Sequence, residues 1–358
     1  MSLQRVREWM ESNRLPAACI TDPTSIAYLT GFHANPHERL MALAVRPEGA
    51  ILLVPDLERE NAAATIQGGA GGVEIVSWQD GQDPFRLLRT ALGDPPLLAV
   101  EKEHLTIARW ERLDAAAIED CSEALRAMRA VKQPGELELL QRAAELTDQV
   151  TDAILPELRA GMTELQVATR LNALINETGS GLAFGSLVQA GSNSALPHLP
   201  PGARRLASGD LVLLDFGASH RGYSADTTRM AVVGEPDEQQ LRVHQAVLDA
   251  HDRAIEAIRA GATCGSVDAA ARLSLEKSGY GERFIHRTGH GLGLEAHEGP
   301  NLEPGSALRL ESGNVVTVEP GVYIPGWGGV RIEDDVVVED GGARLLTRAG
   351  RGLRVVPA

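Results

Sequence analysis

Cysteine is scarce. The 358 residues include three, Cys19, Cys121 and Cys264. They are far apart and odd in number, with no CxxC or zinc spacing, which excludes a disulfide scaffold. Buried, reduced side chains are expected. No run approaches the roughly 18 apolar residues a membrane helix needs. The opening MSLQRVREWMESNRL is charged and lacks the apolar core of a signal peptide, so the cytoplasm is the expected compartment. No cluster of five or more Lys or Arg occurs. With 34 basic and 49 acidic residues the net charge is −15, which argues against a nucleic-acid partner. What is present is ordinary for a globular chain, 43% hydrophobic and 23% charged, and excludes disorder and collagen. At roughly 150 residues per domain, the length suggests two domains.

Residues 1–125 alternate short helical and β-rich runs. Ser2 to Asn13 carries Val6, Trp9 and Met10 at amphipathic spacing. Strands are predicted at Ala17–Ile20, Leu40–Arg46, Ala50–Val54, Gly72–Ser77 and Leu97–Val100, with helices between several of them. That order describes an α/β domain without clustered catalytic residues. Residues 126–135 read as a linker, broken at Lys132-Gln133-Pro134-Gly135. Residues 136–358 form the second domain. A helix is predicted from Glu136 to Arg159, and a capping box at Thr163 and Gln166 opens another to Glu177. Strands follow over Asp210–Val233, helices over Asp237–Arg259 and Ser266–Ser278, and strands over Asn314–Val338.

This order repeats. RAGMT (159–163) resembles RAGAT (259–263), and SGDLVLLDFG (208–217) aligns without a gap to SGNVVTVEPG (312–321). Asp215 then falls on Glu319, and His198 lies near the position equivalent to His297. The second domain is predicted to be α+β with a pseudo-two-fold duplication and a site between its halves.

In LVLLDFGASHRGYSADTTRMAVV two apolar runs flank a turn at 219–222, predicting a hairpin. A turn centred between His220 and Arg221 sets Asp215 opposite Asp226. Such a pair needs a positive charge between its members or a shared proton. In VVTVEPGVYIPGWGGVRIEDDVVV, Glu319 ends one run and Glu333 lies across a turn near Gly326, on the same side of its strand as Arg331. Asp334 and Asp335 are candidates for a surface pair. His290 and His297 sit in the Gly-rich RTGHGLGLEAHEG between the hairpins. Four carboxylates with an imidazole make a hard, oxygen-rich site suited to Mn²⁺, or to Co²⁺ or Zn²⁺. Two divalent ions roughly 3.5–4 Å apart in such a site acidify water, so hydrolysis is the expected reaction class.

Residues 130–358 resemble the pita-bread metallopeptidases: prolidases, aminopeptidases P and methionine aminopeptidases. The matching segments are SALPHLP (194–200), LLDFGASHRGYSADTTR (213–229), RTGHGLGLEAHEGPNL (287–302) and TVEPGVYIPGWGGVRIEDD (317–335). IAYLTGF (26–32) looks like the creatinase/prolidase N-terminal domain, which methionine aminopeptidases usually lack. With PHLP and GGVRIEDD it points to the proline-specific branch. The resemblance implies metal ligands Asp215, Asp226, His290, Glu319 and Glu333, with Asp226 and Glu333 bridging. It implies small peptide substrates with proline second, His198 and His297 lining their site, and Arg331 beside the metals. Glu319 is the expected proton shuttle, and His297 or His198 is expected to hold the carbonyl or oxyanion. Tyr223 and Arg331 are further candidates for substrate contact, a structural salt bridge being the alternative for Arg331. A homodimer is implied as well.

An Xaa-Pro dipeptidase (prolidase) is expected ahead of an Xaa-Pro aminopeptidase. The cation for the substrate carboxylate would be Arg331, or His37 or Arg39 of a partner subunit. A non-catalytic binding protein is the remote alternative, since all five ligands are present.

Overall fold

The structure is a computed structural model and describes residues 2–67 and 72–358. The chain divides into two compact units, Met1–Arg129 and Ala130–Ala358. The first runs α1 (Ser2–Ser12), β1 (Ala17–Ile20), α2 (Pro23–Thr30), β2 (Ala42–Arg46), β3 (Gly49–Pro55), α3 (Arg59–Gln67), β4 (Val73–Trp78), α4 (Pro84–Leu92), β5 (Leu98–Val100), α5 (Ile107–Leu113), β6 (Ile118–Asp120) and α6 (Ser122–Ala130). Six strands form one sheet in the order β4-β3-β2-β1-β5-β6. β2 pairs antiparallel with β1 and β3, and the remaining pairs are parallel. The five predicted strands are present. The sequence reading missed β6, whose three residues Ile-Glu-Asp are too short and polar to stand out. α6 overlaps the start of the span read as a linker. Leu53, Trp78, Phe85, Leu88 and Leu98 anchor this unit's core. All three cysteines of the chain are free and buried.

The second unit holds α7 (Pro134–Ile154), α8 (Glu164–Glu177), β7 (Gly181–Leu182), β8 (Leu187–Ala190), β9 (Leu211–Phe216), β10 (Ala218–His220), β11 (Tyr223–Ser224), β12 (Thr227–Val233), α9 (Glu238–Ala257), α10 (Cys264–Lys277), β13 (Gly289–Gly291), β14 (Glu298–Leu302), β15 (Val315–Val318), β16 (Gly321–Ile324), β17 (Gly328–Arg331), β18 (Asp334–Glu339), β19 (Gly342–Leu345) and β20 (Arg354–Val356). α7 ends five residues earlier than the sequence predicts and passes into a short 3₁₀ turn, Leu155–Glu157. Pro156 lacks the N–H to continue it.

The main sheets are β20-β12-β9-β8 and β14-β13-β15-β18-β19. β9 is buried on both faces. Leu211 and Leu213 pack with α9 and α10, whereas Val212, Leu214 and Phe216 pack with α7 and α8. A strand covered on both sides reads as a continuous apolar run, and Asp215 stands at its end on the Leu211–Leu213 face.

The duplication is visible in equivalent details. Arg205 Nη1 donates to Gly161 O and Arg309 Nη1 to Gly261 O, both at 2.6 Å. Thr163 bridges Arg205 as Thr263 bridges Arg309. The two hairpins are joined at Thr228 and Glu333, where Glu333 N–H donates to Thr228 O at 3.3 Å.

Candidate metal centre

The first hairpin turns at Arg221 and Gly222, which take φ of 50° and 85°. Positive φ at both central positions is the tight two-residue turn that suits the strand twist. His220 therefore pairs Tyr223, and Asp215 pairs Thr228. This corrects the sequence-based register: the turn lies one residue later, and Asp226 is not opposite Asp215 but two residues from its partner, on the same side. The strands come close here, since a Cβ on Gly217 would sit 1.7 Å from Ala225 O. In the second hairpin Val318 pairs Asp334 and Gly321 pairs Arg331. Glu319 and Glu333 face each other in the gap between those ladders.

The four carboxylates converge with His290. Ligand atoms of Asp215, Asp226 and Glu333 lie within 4.8 Å of one another, as do those of His290, Glu319 and Glu333, and those of Asp226, His290 and His297. Asp226, His290 and Glu333 each belong to two of these three groups, so the groups form one cluster. His290 supplies a chemical test of what belongs there. Its Nδ1 lies 3.0 Å from Gly291 O, an acceptor, so the proton is on Nδ1. Burial, then His297, pushes its pKa down to about 3, so the ring is neutral. Nε2 thus turns a lone pair toward Glu319 Oε1 at 3.3 Å and Asp226 Oδ2 at 4.0 Å. Acceptors facing acceptors need a cation or a shared proton between them. Asp215 Oδ1 and Asp226 Oδ1 are also buried with no hydrogen-bond partner among the described residues. Burial, then Glu333 and Asp215, raises Asp226 well above the usual carboxylate range, and burial, then Glu319 and Asp215, does the same to Glu333. Burial pushes Glu319 up to about 7. The donor set fits divalent cations.

Arg331 is buried beside this cluster. Nη2 donates to Asp215 Oδ2 at 2.5 Å, Nη1 to Tyr323 Oη at 3.1 Å and Nε to Thr228 Oγ1 at 2.9 Å. Its salt bridge to Asp215 is therefore real. Burial raises the Asp215 pKa, and Arg331, His297 and His198 oppose that rise, in that order. His297 is exposed, its ring centroid 4.1 Å from that of His290, and His198 is exposed on the segment before β9.

The chain matches the Metallopeptidase family M24 over residues 138–340 and the Creatinase/Prolidase N-terminal domain over residues 3–131. It is 36% identical over 351 residues to an uncharacterised peptidase of Staphylococcus aureus, covering 96% of this chain and 98% of that one. The chain belongs to metallopeptidase family M24. Among solved structures, an Xaa-Pro dipeptidase from Bacillus anthracis superposes with a TM-score of 0.92 at 32% identity, covering 99% of both chains. An X-Pro aminopeptidase from Thermotoga maritima superposes with a TM-score of 0.87 at 31% identity, over 97% of this chain and 100% of that one.

One expectation for this metallopeptidase needs correction. Asp334 and Asp335 are not a surface pair, since both are fully buried. Burial pushes the Asp334 pKa up, but Arg229, His251 and Arg351 together hold it well below the usual range. Arg229 Nη2 donates to it at 2.6 Å and Thr347 Oγ1 at 2.8 Å. Asp335 accepts from Asp226 N–H at 2.9 Å. Tyr223 donates its hydroxyl to Glu136 Oε1 at 2.9 Å and is buried with Leu140 and Leu292. A second tyrosine, Tyr323, accepts from Arg331 beside the cluster. Its hydroxyl lies 2.9 Å from His286 Nε2, and burial pushes its pKa up to about 12. The sequence reading missed Tyr323, His286 and Thr228. A usable signal was Tyr323 four residues beyond Glu319 on a β run, hence on the same side. In the N-terminal unit, Arg39 is held by Asp80 through bonds of 3.0 and 2.8 Å.

Proposed function

We propose that the metallopeptidase is an Xaa-Pro dipeptidase that holds two divalent ions, Mn²⁺ by preference, on Asp215, Asp226, His290, Glu319 and Glu333. The observation that carries the reading is the neutral His290 with its Nε2 lone pair aimed at two carboxylates. Asp226, His290 and Glu333 each belong to two of the overlapping ligand groups, so the five side chains would hold the ions as one cluster. Bound there, the ions supply an acidified water and polarise the peptide carbonyl.

The chain's own residues do the rest. Glu319, beside His290 in the cluster, would take a proton and pass it to the departing proline nitrogen. His297 and His198, on the exposed side, donate to the substrate carbonyl and its developing oxyanion. Arg331 is a fixed positive charge in the wall, tied to Asp215, Tyr323 and Thr228. Proline offers no N–H to a backbone acceptor, so its recognition falls to ring shape and to the free carboxylate, the latter met by Arg331 or by His37 or Arg39 of a partner subunit in a homodimer. The reading places the enzyme in the cytoplasm. No helix among the described residues is long and apolar enough to cross a membrane.

Turnover of Ala-Pro and Ala-Pro-Ala by metal-stripped protein reloaded with Mn²⁺, Co²⁺ or Zn²⁺ tests this. Dipeptide is expected to be cleaved faster, and most with Mn²⁺. Faster tripeptide cleavage establishes the aminopeptidase reading instead. Sedimentation measures the dimer.

A further inference from the structure

Thr228 belongs to both hairpins. It pairs Asp215 across the first ladder and bridges Glu333 of the second. It is fully buried. Its hydroxyl has one proton and two lone pairs. Arg331 is a donor only, so its Nε, 2.9 Å away, occupies a lone pair of Thr228 Oγ1. The hydroxyl proton then goes to Glu333 Oε2 at 2.5 Å. Arg331 Nε and Glu333 Oε2 are themselves 3.9 Å apart, beyond hydrogen-bonding distance. The hydroxyl is therefore the spacer between a buried guanidinium and a buried carboxylate that would otherwise close on each other. Such a collapse would move Glu333 Oε2 from its present place in the group it forms with Asp215 and Asp226.

We propose that Thr228 is a positioning residue: its hydroxyl holds Glu333 off Arg331 and so keeps that carboxylate on the cation cluster. This rests on the reading of Glu333 as a cation ligand. Partners that orient metal ligands are typically worth about 10–100-fold in metal affinity.

The test is calorimetric titration of the metal-free protein with Mn²⁺, for wild type, Thr228→Val, Thr228→Ala and Thr228→Ser. Val keeps the branched shape and loses both hydrogen bonds. Ala is smaller, so that failure of one variant to fold leaves the other to decide. Circular dichroism and the unfolding midpoint of each metal-free variant are measured alongside. Val and Ala are expected to weaken at least one Mn²⁺ equivalent by about 10–100-fold, and Ser to restore it to within about threefold. A merely structural role shifts the metal-free unfolding midpoint and leaves affinity alone, which would overturn the proposal, as would equal weakening by Ser and Val. Failure of the wild type to bind Mn²⁺ would instead sink the metal-centre reading itself.

Discussion

The two hairpins of the catalytic unit are built from the same stock. Each ends its inner strand on a carboxylate, Asp215 or Glu319, and each returns a second, Asp226 or Glu333. Their registers differ. The first sets Thr228 opposite Asp215 and leaves Asp226 two residues off. The second sets Glu333 opposite Glu319, in a gap between ladders that pair Val318 with Asp334 and Gly321 with Arg331. Like charges directly opposed weaken a sheet. The first hairpin avoids that with a hydroxyl, and the second by giving up the ladder. The halves have kept the number of acidic groups while their registers drifted. A cation cluster tolerates such drift, because it needs oxygens converging on one point and not matched pairs along a strand.

The sharpest way to break this equivalence is to neutralise one return carboxylate at a time. Asp226→Asn and Glu333→Gln are each expected to lower kcat/KM on Ala-Pro by at least about 100-fold, the upper end of what outer partners of a metal site cost. Bound Mn²⁺ per chain should fall in both. If either variant keeps more than a tenth of wild-type activity with full metal, the two hairpins are not equal contributors.

A smaller effect appears in the metal-free protein as pH changes. Glu319 rises on folding from 4.5 to about 7, and Asp226 and Glu333 are raised well above their ordinary values. A carboxyl with a raised native pKa stays protonated in the folded state after the unfolded chain has released its proton. Stability therefore falls as pH rises from the unfolded pKa through the folded one. His290 and His286, pushed down to about 3 and about 4, act in the opposite sense below their ordinary value of 6.5, where the unfolded chain takes up protons that the fold refuses. Between about pH 7.5 and 8.5 the imidazoles are largely neutral in both states and the carboxyls decide the sign. The metal-free melting temperature is expected to fall across that interval, and saturating Mn²⁺ to remove the fall. A flat metal-free profile would mean that the carboxylates are not mutually strained.

Much of this was legible because it is periodic. The apolar run Leu211–Leu214 marked a strand, and the gap-free match of 208–217 to 312–321 exposed the duplication. The register was not legible. The turn uses a left-handed Arg221, where the usual signal is Asn or Gly. Moving the turn centre by one residue moved every pairing by two, and a shift of two preserves the face. The carboxylates thus stayed on one side although their partners were misassigned. Asp334 and Asp335 were misread for a different reason. The groups that make the burial of Asp334 bearable, Arg229, His251, Thr347 and Arg351, sit 13 to 105 residues from it in the chain, and no local pattern announces a partner at that distance.

The smallest expected effect separates two tyrosines, one from each hairpin. Tyr223 spends its hydroxyl on Glu136, whereas Tyr323 spends its own on Arg331 and His286. Tyr223→Phe removes one hydrogen bond from the wall and nothing from the cluster. It is expected to cost about 0.5–1.5 kcal/mol of stability, measured by urea unfolding, and to leave kcat and KM within about twofold. Tyr323→Phe removes a partner of the guanidinium that holds Asp215, so it should lower kcat as well. If Tyr223→Phe instead raises KM for Ala-Pro tenfold at unchanged stability, the tyrosine of the first hairpin touches substrate after all, and the contrast drawn between the two hairpins fails at that residue.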